Sequence, residues 1–173
     1  MKPRHVSARW IATAAVIAAL YAALTYVSAP LAFGQVQFRL SEVLTVLPYF
    51  TPAAIPGLFI GCILGNIASP FGLVDIVCGS AATLLAAVLS RKMPVKWLVP
   101  LPPVITNAVI VALELHFVAK MPLLLTALYV GFGEAVVCFG GGIPLLLALE
   151  KAAPRLFGSP VQAGGHGPSA SPR

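Results

Sequence analysis

Charged residues are scarce in this 173-residue chain: they make up 9% of it, whereas 59% of its residues are hydrophobic. A soluble domain covers its surface with charged side chains that amount to about a quarter of its residues. This composition therefore excludes an ordinary soluble fold. Apolar stretches follow one another from residue 10 to residue 149 with only short breaks. We therefore predict an all-α integral membrane protein with a single domain embedded in lipid.

Several signatures of catalysis and metal binding are also missing. The three cysteines lie singly in apolar stretches, with no CxxC or Cys/His spacing, so neither a metal site nor a disulfide framework is predicted. Asp75 is the one aspartate, so the aspartate pair of an intramembrane protease is absent. No glycine-rich phosphate loop occurs. We therefore expect no cofactor and no enzymatic activity, ATP hydrolysis included.

Six apolar segments can be drawn along the chain, at about residues 10–28, 41–50, 53–68, 73–90, 98–118 and 122–149. A membrane-spanning helix needs about 20 residues, and the second and third segments fall short of that length. Pro48, Pro52 and Pro56 interrupt this part of the chain. We predict a six-transmembrane-helix bundle with short, Pro-interrupted second and third helices. Irregular backbone at membrane depth indicates a binding site, because protein or a water-filled cavity must satisfy it.

The basic residues predict the orientation of this bundle. If the N-terminus is cytoplasmic, six crossings place nine of the eleven lysines and arginines on the cytoplasmic side and leave Arg39 and Lys120 outside. The positive charge thus orients helices, and nucleic-acid binding is not expected. We divide the chain into a cytoplasmic N-terminus (1–9), a six-helix membrane domain (10–150) and a cytoplasmic, disordered C-terminal tail (151–173). The first segment is interpreted as a retained helix, since it is longer than a signal peptide needs.

Polar residues inside these apolar segments are the main functional signal. Four of the five acidic residues lie there, and a charge at the centre of a membrane helix costs about 2.5–3.5 kcal/mol. Such residues usually face a cavity or a partner. The predicted orientation places a polar set in the outer half of the bundle: Arg39, Glu42, Asn66, Asp75, Glu114 and His116. Asn107 and Glu134 belong to the same set and lie deeper, toward the middle of the bundle. Asn107 and Glu114 are almost two turns apart and share a helix face.

Simpler roles stay open for several of these residues. Asp75 and His116 lie near helix ends, where the aqueous interface would wet them. Arg39 and Glu42 have the spacing of a local ion pair. Asn66 is placed to cap a helix. Glu134 and Glu114 are the hardest to explain without a ligand or partner.

Small residues recur at every fourth position in two segments, which lets helices approach closely in lipid. One row is Gly57, Gly61 and Gly65, for which packing inside the bundle is the expected role. The first segment carries two adjacent alanine rows, which form a broader face than one neighbour requires: Ala14, Ala18, Ala22 and Ala15, Ala19, Ala23. From the spacing alone, these rows fit internal packing or docking of another membrane subunit.

Several blocks resemble the QueT-type queuosine precursor transporter family. They are QFRLSEVLTVLP at 37–48, TPAAIPGL at 51–58, GLVDIVCGS at 72–80, PLPPV at 100–104 with Asn107 and Ala108, and GFGE at 131–134. The similarity covers about residues 8–150. It implies the substrate-specificity (S) subunit of an energy-coupling-factor (ECF) importer in a prokaryotic plasma membrane, with both termini cytoplasmic. Its implied partners are a transmembrane coupling protein and two ATP-binding-cassette ATPases, and the alanine-rich face of helix one is implied to dock on the coupling protein.

The resemblance further implies a 7-deazaguanine substrate, such as preQ1, preQ0 or queuine. Carboxylates suit the N–H donors of a guanine-like edge, and amides supply donors and acceptors. The substrate-binding set is then Glu114, Glu134, Asn107, Asp75, Asn66, Glu42, Arg39, Gln37 and Phe38, with Phe33 and Gln35 of the preceding loop as further covers for a flat base. An S subunit for another small vitamin-like solute, a non-binding assembly subunit and an intramembrane enzyme are the competing hypotheses.

Overall fold

The computed structural model describes residues 7–32 and 37–157, and the regular structure in this part of the chain is all helical, with no strand. The α-helices are α1 (Ala8–Val27), α2 (Ala29–Ala32), α3 (Ala54–Asn66), α4 (Leu73–Arg91), α5 (Leu101–Ala119), α6 (Leu123–Val137) and α7 (Ile143–Phe157). Two 3₁₀ helices, Leu40–Tyr49 and Lys96–Leu98, and a π-helical turn, Cys138–Gly142, complete the fold. The all-α prediction is confirmed for the described residues.

Four helical stretches are long and apolar enough to cross a membrane, judged by length and composition: Ala8–Val27, Leu73–Arg91, Lys96–Ala119 and Leu123–Ala153. Ala54–Asn66 is apolar but shorter, and Leu40–Tyr49 is a 3₁₀ helix with Pro48 inside it. The second and third segments are thus short, as predicted, whereas six crossings stay a prediction. At the C-terminal end, α7 continues to Phe157, so the first residues of the predicted tail are helical. Residues 158–173 lie outside the described part of the chain.

Local signals place the helix ends. Ser7 precedes α1, and its hydroxyl accepts a hydrogen bond from the Trp10 amide at 3.2 Å, as an N-cap does. Helix α5 starts with prolines in its first turn, where the missing N–H costs no helical hydrogen bond. It ends at Lys120, whose φ of 57° is left-handed. Gly72 takes a φ of 62° just before α4, a conformation that glycine adopts without strain.

Helices α1 and α3 pack through their small residues. A Cβ atom added at Gly57 would lie 2.7 Å from the Ala14 carbonyl oxygen, and one at Gly61 would lie 2.8 Å from the Ala18 carbonyl oxygen. The two backbones therefore meet directly, which larger side chains would prevent. The expected role of the glycine row in internal packing is confirmed.

The described ends of the chain meet at one end of the bundle. The Arg9 guanidinium donates to the carbonyl oxygens of Arg155 at 3.2 Å and Leu156 at 2.9 Å. Lys96, in the connection between α4 and α5, forms an ion pair with Glu150 at 2.9 Å. Arg9 thus satisfies carbonyl groups in the last turn of α7, where a cation is favoured by the helix dipole. The start of α1, the α4–α5 connection and α7 lie on the same side.

Candidate functional site

Buried polar side chains from α1, α3, α4, α5 and α6 converge inside the bundle. Each of the four acidic residues singled out in the sequence is at most 5% exposed. The buried polar set also includes the predicted Gln37, Arg39, Asn66 and Asn107, together with several hydroxyl groups. The alternative that Asp75 is wetted at a helix end is wrong, because it is 2% exposed. Such a concentration of polar atoms inside an apolar bundle is costly unless the atoms have partners.

Glu42 is held by side chains from three elements. The Tyr21 hydroxyl of α1 donates a short hydrogen bond to Glu42 Oε1, and the Thr83 hydroxyl of α4 donates to the same oxygen at 3.2 Å. The Thr45 hydroxyl donates to the Glu42 carbonyl oxygen at 2.6 Å. The second carboxylate oxygen, Oε2, has no hydrogen-bond partner among the described residues. Glu42 is therefore fixed in position with one oxygen left for another donor.

Arg39 and Asp75 form the second part of the site. Nη2 of the Arg39 guanidinium lies 3.9 Å from Oδ1 of the Asp75 carboxylate. Arg39 therefore forms an ion pair with a residue of α4. Asn66 does not cap its own helix end: its Nδ2 donates to the Asp75 carbonyl oxygen at 2.9 Å and so ties α3 to α4. A Cβ at Gly79 would lie 2.5 Å from this Nδ2, so only glycine leaves room for the contact.

Glu134 and Asn107 form the third part. The Cys138 thiol lies 3.6 Å from Glu134 Oε2, one helical turn along α6 and the π turn. The Asn107 amide faces the carboxylates of both Glu42 and Glu134. Asn107 is 1% exposed, so its amide interacts with these carboxylates away from solvent. Asn107 is therefore the side chain that links the two carboxylates from the α5 side.

Glu114 differs from the other carboxylates. It is 5% exposed, and neither carboxylate oxygen has a hydrogen-bond partner among the described residues. Its charged neighbours are Asp75 and Arg39, and the half-buried Cys78 lies on the same side. His116, two residues further on, is occupied elsewhere: its Nδ1 lies 2.7 Å from the Met121 carbonyl oxygen. His116 therefore shapes the α5–α6 connection and is not part of the cluster.

Gln37 and Phe38 approach the cluster from the loop before the first 3₁₀ helix. The Gln37 backbone lies so close to Gly133 that a Cβ there would overlap the Gln37 carbonyl group. This contact places the loop beside Glu134, the next residue of α6. Gln37 is buried and Phe38 is half-buried. Phe33 and Gln35, also expected to cover the site, lie outside the described residues.

Three contributors were missed in the sequence. Tyr21 and Thr83 hold Glu42. The Cys62 sulfur lies 3.3 Å from the Thr83 hydroxyl oxygen and 3.5 Å from Asn66 Nδ2. One signal was present for Tyr21. It lies on the same face of α1 as Ala14 and Ala18, and a tyrosine hydroxyl that is buried usually finds a partner. Thr83 and Cys62 carry no comparable signal, since both residue types are ordinary in apolar helices.

The two alanine rows of α1 have different surroundings. Ala14, Ala18 and Ala22 are buried, and the first two pack against the glycine row of α3. These alanines are therefore buried by packing within the bundle and are not accessible to a partner. The row Ala15, Ala19 and Ala23 is exposed. A groove of about 450 Å³ runs beside it, between α1, the first 3₁₀ helix and α7, and is lined almost wholly by apolar side chains.

An apolar helical bundle that encloses buried polar side chains is the architecture of an integral membrane protein. A model of the QueT transporter family matches residues 11–151. The chain is 33% identical over 147 residues to the queuosine precursor transporter QueT of Lactococcus lactis subsp. cremoris (strain MG1363). This match covers 76% of the chain and 86% of the relative. The chain belongs to the QueT transporter family, which confirms the resemblance found in the sequence. No solved structure matches it.

Proposed function

We propose that this protein is the substrate-binding subunit of an ECF importer and captures a queuosine precursor, a 7-deazaguanine, from outside the cell. The observation that carries this proposal is the buried polar cluster, in which both carboxylate oxygens of Glu114 lack hydrogen-bond partners among the described residues. Leaving such groups unsatisfied costs roughly 1–3 kcal/mol each. A ligand with complementary donors and acceptors would remove that cost, and this is the arrangement of a binding site.

The part of the cluster formed by Glu42, Glu134 and Asn107 suits the guanine-like edge of such a ligand. That edge presents neighbouring N–H donors and a carbonyl acceptor. A carboxylate accepts two parallel N–H donors, and the amide of Asn107 supplies a donor and an acceptor. Phe38, half-buried beside this region, is placed to cover a flat ring. The assigned roles of Asn66, Asp75 and Arg39 are to fix the geometry of the outer part of the site.

Two further features support the proposed topology. Arg9 contacts the last turn of α7, and Lys96 pairs with Glu150, so both described ends and the α4–α5 connection share one side. This arrangement supports an even number of crossings, and the basic residues there favour a cytoplasmic location. With the short segments Leu40–Tyr49 and Ala54–Asn66 counted as crossings, the number is six. Both termini would then be cytoplasmic in a prokaryotic plasma membrane.

We assign the docking surface for a transmembrane coupling protein to the exposed alanine row Ala15, Ala19 and Ala23. Each of these residues lies three positions from a residue of the adjoining groove, namely Ala12, Val16 and Leu20. Small side chains beside an apolar groove allow another helix to approach closely. Two ATP-binding-cassette ATPases would bind that coupling protein and supply the energy, so this chain would have no enzymatic activity of its own.

The proposal is tested by ligand binding to detergent-purified protein. The panel contains queuine, the aminomethyl and cyano 7-deazaguanines, riboflavin and thiamine, measured by thermal shift and then by calorimetry. A ligand that binds the native state raises the melting temperature, and we expect this for deazaguanines alone. Stabilisation by riboflavin or thiamine instead would indicate an S subunit for another solute. Folded protein that binds no member of the panel would favour a non-binding assembly subunit and contradict the proposal.

Replacement of one carboxylate tests the binding edge directly. Glu134→Gln keeps the shape of the side chain and replaces one acceptor oxygen with an NH₂ group, which faces the N–H donors of the ligand. We expect affinity for every deazaguanine to fall by roughly 10-fold or more, because a charge-assisted hydrogen bond contributes about 1.5–3 kcal/mol. Glu150→Gln, which changes a carboxylate paired with Lys96 far from the cluster, is the matched control. Equal affinities of the two variants would refute the assigned edge.

A further inference from the structure

The buried cluster contains more negative than positive formal charge. Among the described residues, four carboxylates are buried and one guanidinium, that of Arg39, is buried with them. One cation cannot balance four carboxylates, whichever of them it contacts. A charge transferred into an apolar interior is stabilised by a counter-charge or is neutralised by a proton. The cluster as a whole therefore favours the uptake of positive charge.

The four carboxylates differ in the hydrogen-bond donors and cations that surround them. Glu42 accepts hydrogen bonds from Tyr21 and Thr83, and Asp75 pairs with Arg39 at 3.9 Å. The Cys138 thiol lies beside Glu134. Glu114, in contrast, has no hydrogen bond to either oxygen within the described residues, although it is 5% exposed. It is therefore the carboxylate whose surroundings most lack a donor.

Glu114 is separated from the residues proposed to bind the guanine-like edge, which are Glu42, Glu134 and Asn107. It is seven residues from Asn107 on α5, which corresponds to about 10 Å along the helix axis. Asn107 interacts with Glu42 and Glu134, whereas the carboxylate beside Glu114 is that of Asp75. Arg39 interacts with the carboxylates of both groups. The site thus has two ends. A ligand bound by its guanine-like edge near Asn107 would direct a substituent on its far side toward Glu114.

We propose that Glu114 is a specificity-determining residue that binds the positive charge of the substrate, so that the site prefers precursors bearing an amine over neutral ones. This inference rests on the proposed function and adds the charge of the substrate to it. An aminomethyl group is protonated at neutral pH and carries three N–H donors, which suit a carboxylate with two unoccupied oxygens. A nitrile in the same position is uncharged and offers Glu114 no donor.

The first test compares two ligands on the unmodified protein. Calorimetry with the aminomethyl and the cyano 7-deazaguanine isolates the charged group, because the two share the guanine-like edge. We expect the aminomethyl compound to bind more tightly than the cyano compound by roughly 10-fold or more, because it forms a charge-assisted hydrogen bond that the nitrile cannot form. Equal affinities would overturn the inference and leave the proposed function intact. Folded protein that binds neither compound would overturn the inference, and it would overturn the proposed function as well if queuine also failed to bind.

The second test assigns the preference to Glu114. In Glu114→Gln, affinity for the aminomethyl compound should fall roughly 10- to 100-fold, whereas affinity for the cyano compound should change far less. Glu134→Gln should weaken both ligands alike, since it acts on their common edge. Glu150→Gln again serves as the surface control. An equal loss of both ligands in Glu114→Gln would overturn the specificity role, and the comparison on the unmodified protein needs no variant to fold.

Discussion

Replacing Gly61 with alanine should separate α1 from α3. The added Cβ would lie 2.7 Å from the Tyr21 Cβ and 2.8 Å from the Ala18 carbonyl oxygen. Carbon atoms in favourable contact are about 3.5–4.0 Å apart, so one helix must move by about 0.8 Å or more. The neighbours are backbone and Cβ atoms, which cannot turn aside as a flexible side chain can. Overpacking of this kind costs about 1–3 kcal/mol.

Alanine also stabilises a helix relative to glycine by up to about 1 kcal/mol, so the variant needs a control that includes this gain. Gly140→Ala is that control, because a Cβ at Gly140 would meet no atom within 4 Å. We expect Gly61→Ala to be less stable than Gly140→Ala by about 1–3 kcal/mol, or at least about 2 °C in melting temperature.

The assay is thermal unfolding of both variants in the same detergent, with and without a deazaguanine. Binding should weaken in Gly61→Ala as well, since the displaced helix carries Tyr21, which holds Glu42. Equal melting temperatures of the two variants would refute the direct backbone contact between α1 and α3.

Two further predictions concern single side chains. Tyr21→Phe removes the hydroxyl that Glu42 accepts and should lower the free energy of unfolding by about 1–3 kcal/mol, measured by chemical denaturation. Tyr26→Phe, which removes an exposed hydroxyl bonded to the Leu64 carbonyl, should cost less, and the reverse order would contradict the buried role of Tyr21. A maleimide should modify Cys78 alone in the folded protein, because Cys62 and Cys138 are buried. Mass spectrometry counts the adducts, and two or three on folded protein would refute this arrangement.

The helices were predictable because hydrophobic runs and helix-ending residues are local signals. The long helices α1, α4 and α5 fall close to the predicted segments, and Pro48 correctly marked an irregular second segment. The sequence did not indicate that this segment is a 3₁₀ helix ten residues long, since runs beyond three or four residues are uncommon. The π turn at Cys138–Gly142 was not foreseen either, because a single inserted residue hardly alters the hydrophobic pattern.

The sequence allowed us to predict which residues belong to the site, but not which of them contact one another. Carboxylates in apolar segments are expensive, so Glu42, Asp75, Glu114 and Glu134 could be selected by their cost alone. Which partner each one has depends on how distant helices pack together. Arg39 was considered as a local partner of Glu42, and in the structure it interacts with Glu42 and also forms an ion pair with Asp75 on α4. Tyr21 is likewise a partner of Glu42 only because the α1–α3 contact places it there.

The 3₁₀ helix Leu40–Tyr49 has a consequence for how far this part of the chain reaches. A 3₁₀ helix rises about 2.0 Å per residue and an α-helix about 1.5 Å, so the same ten residues differ in length by about 5 Å between the two forms. The segment packs against the π turn, where a Cβ added at Gly141 would lie 2.6 Å from a Val43 methyl group. Both are backbone forms that a change of hydrogen-bond register converts into an ordinary α-helix. The reach of the segment that carries Glu42 therefore depends on its hydrogen-bond register as well as on its number of residues.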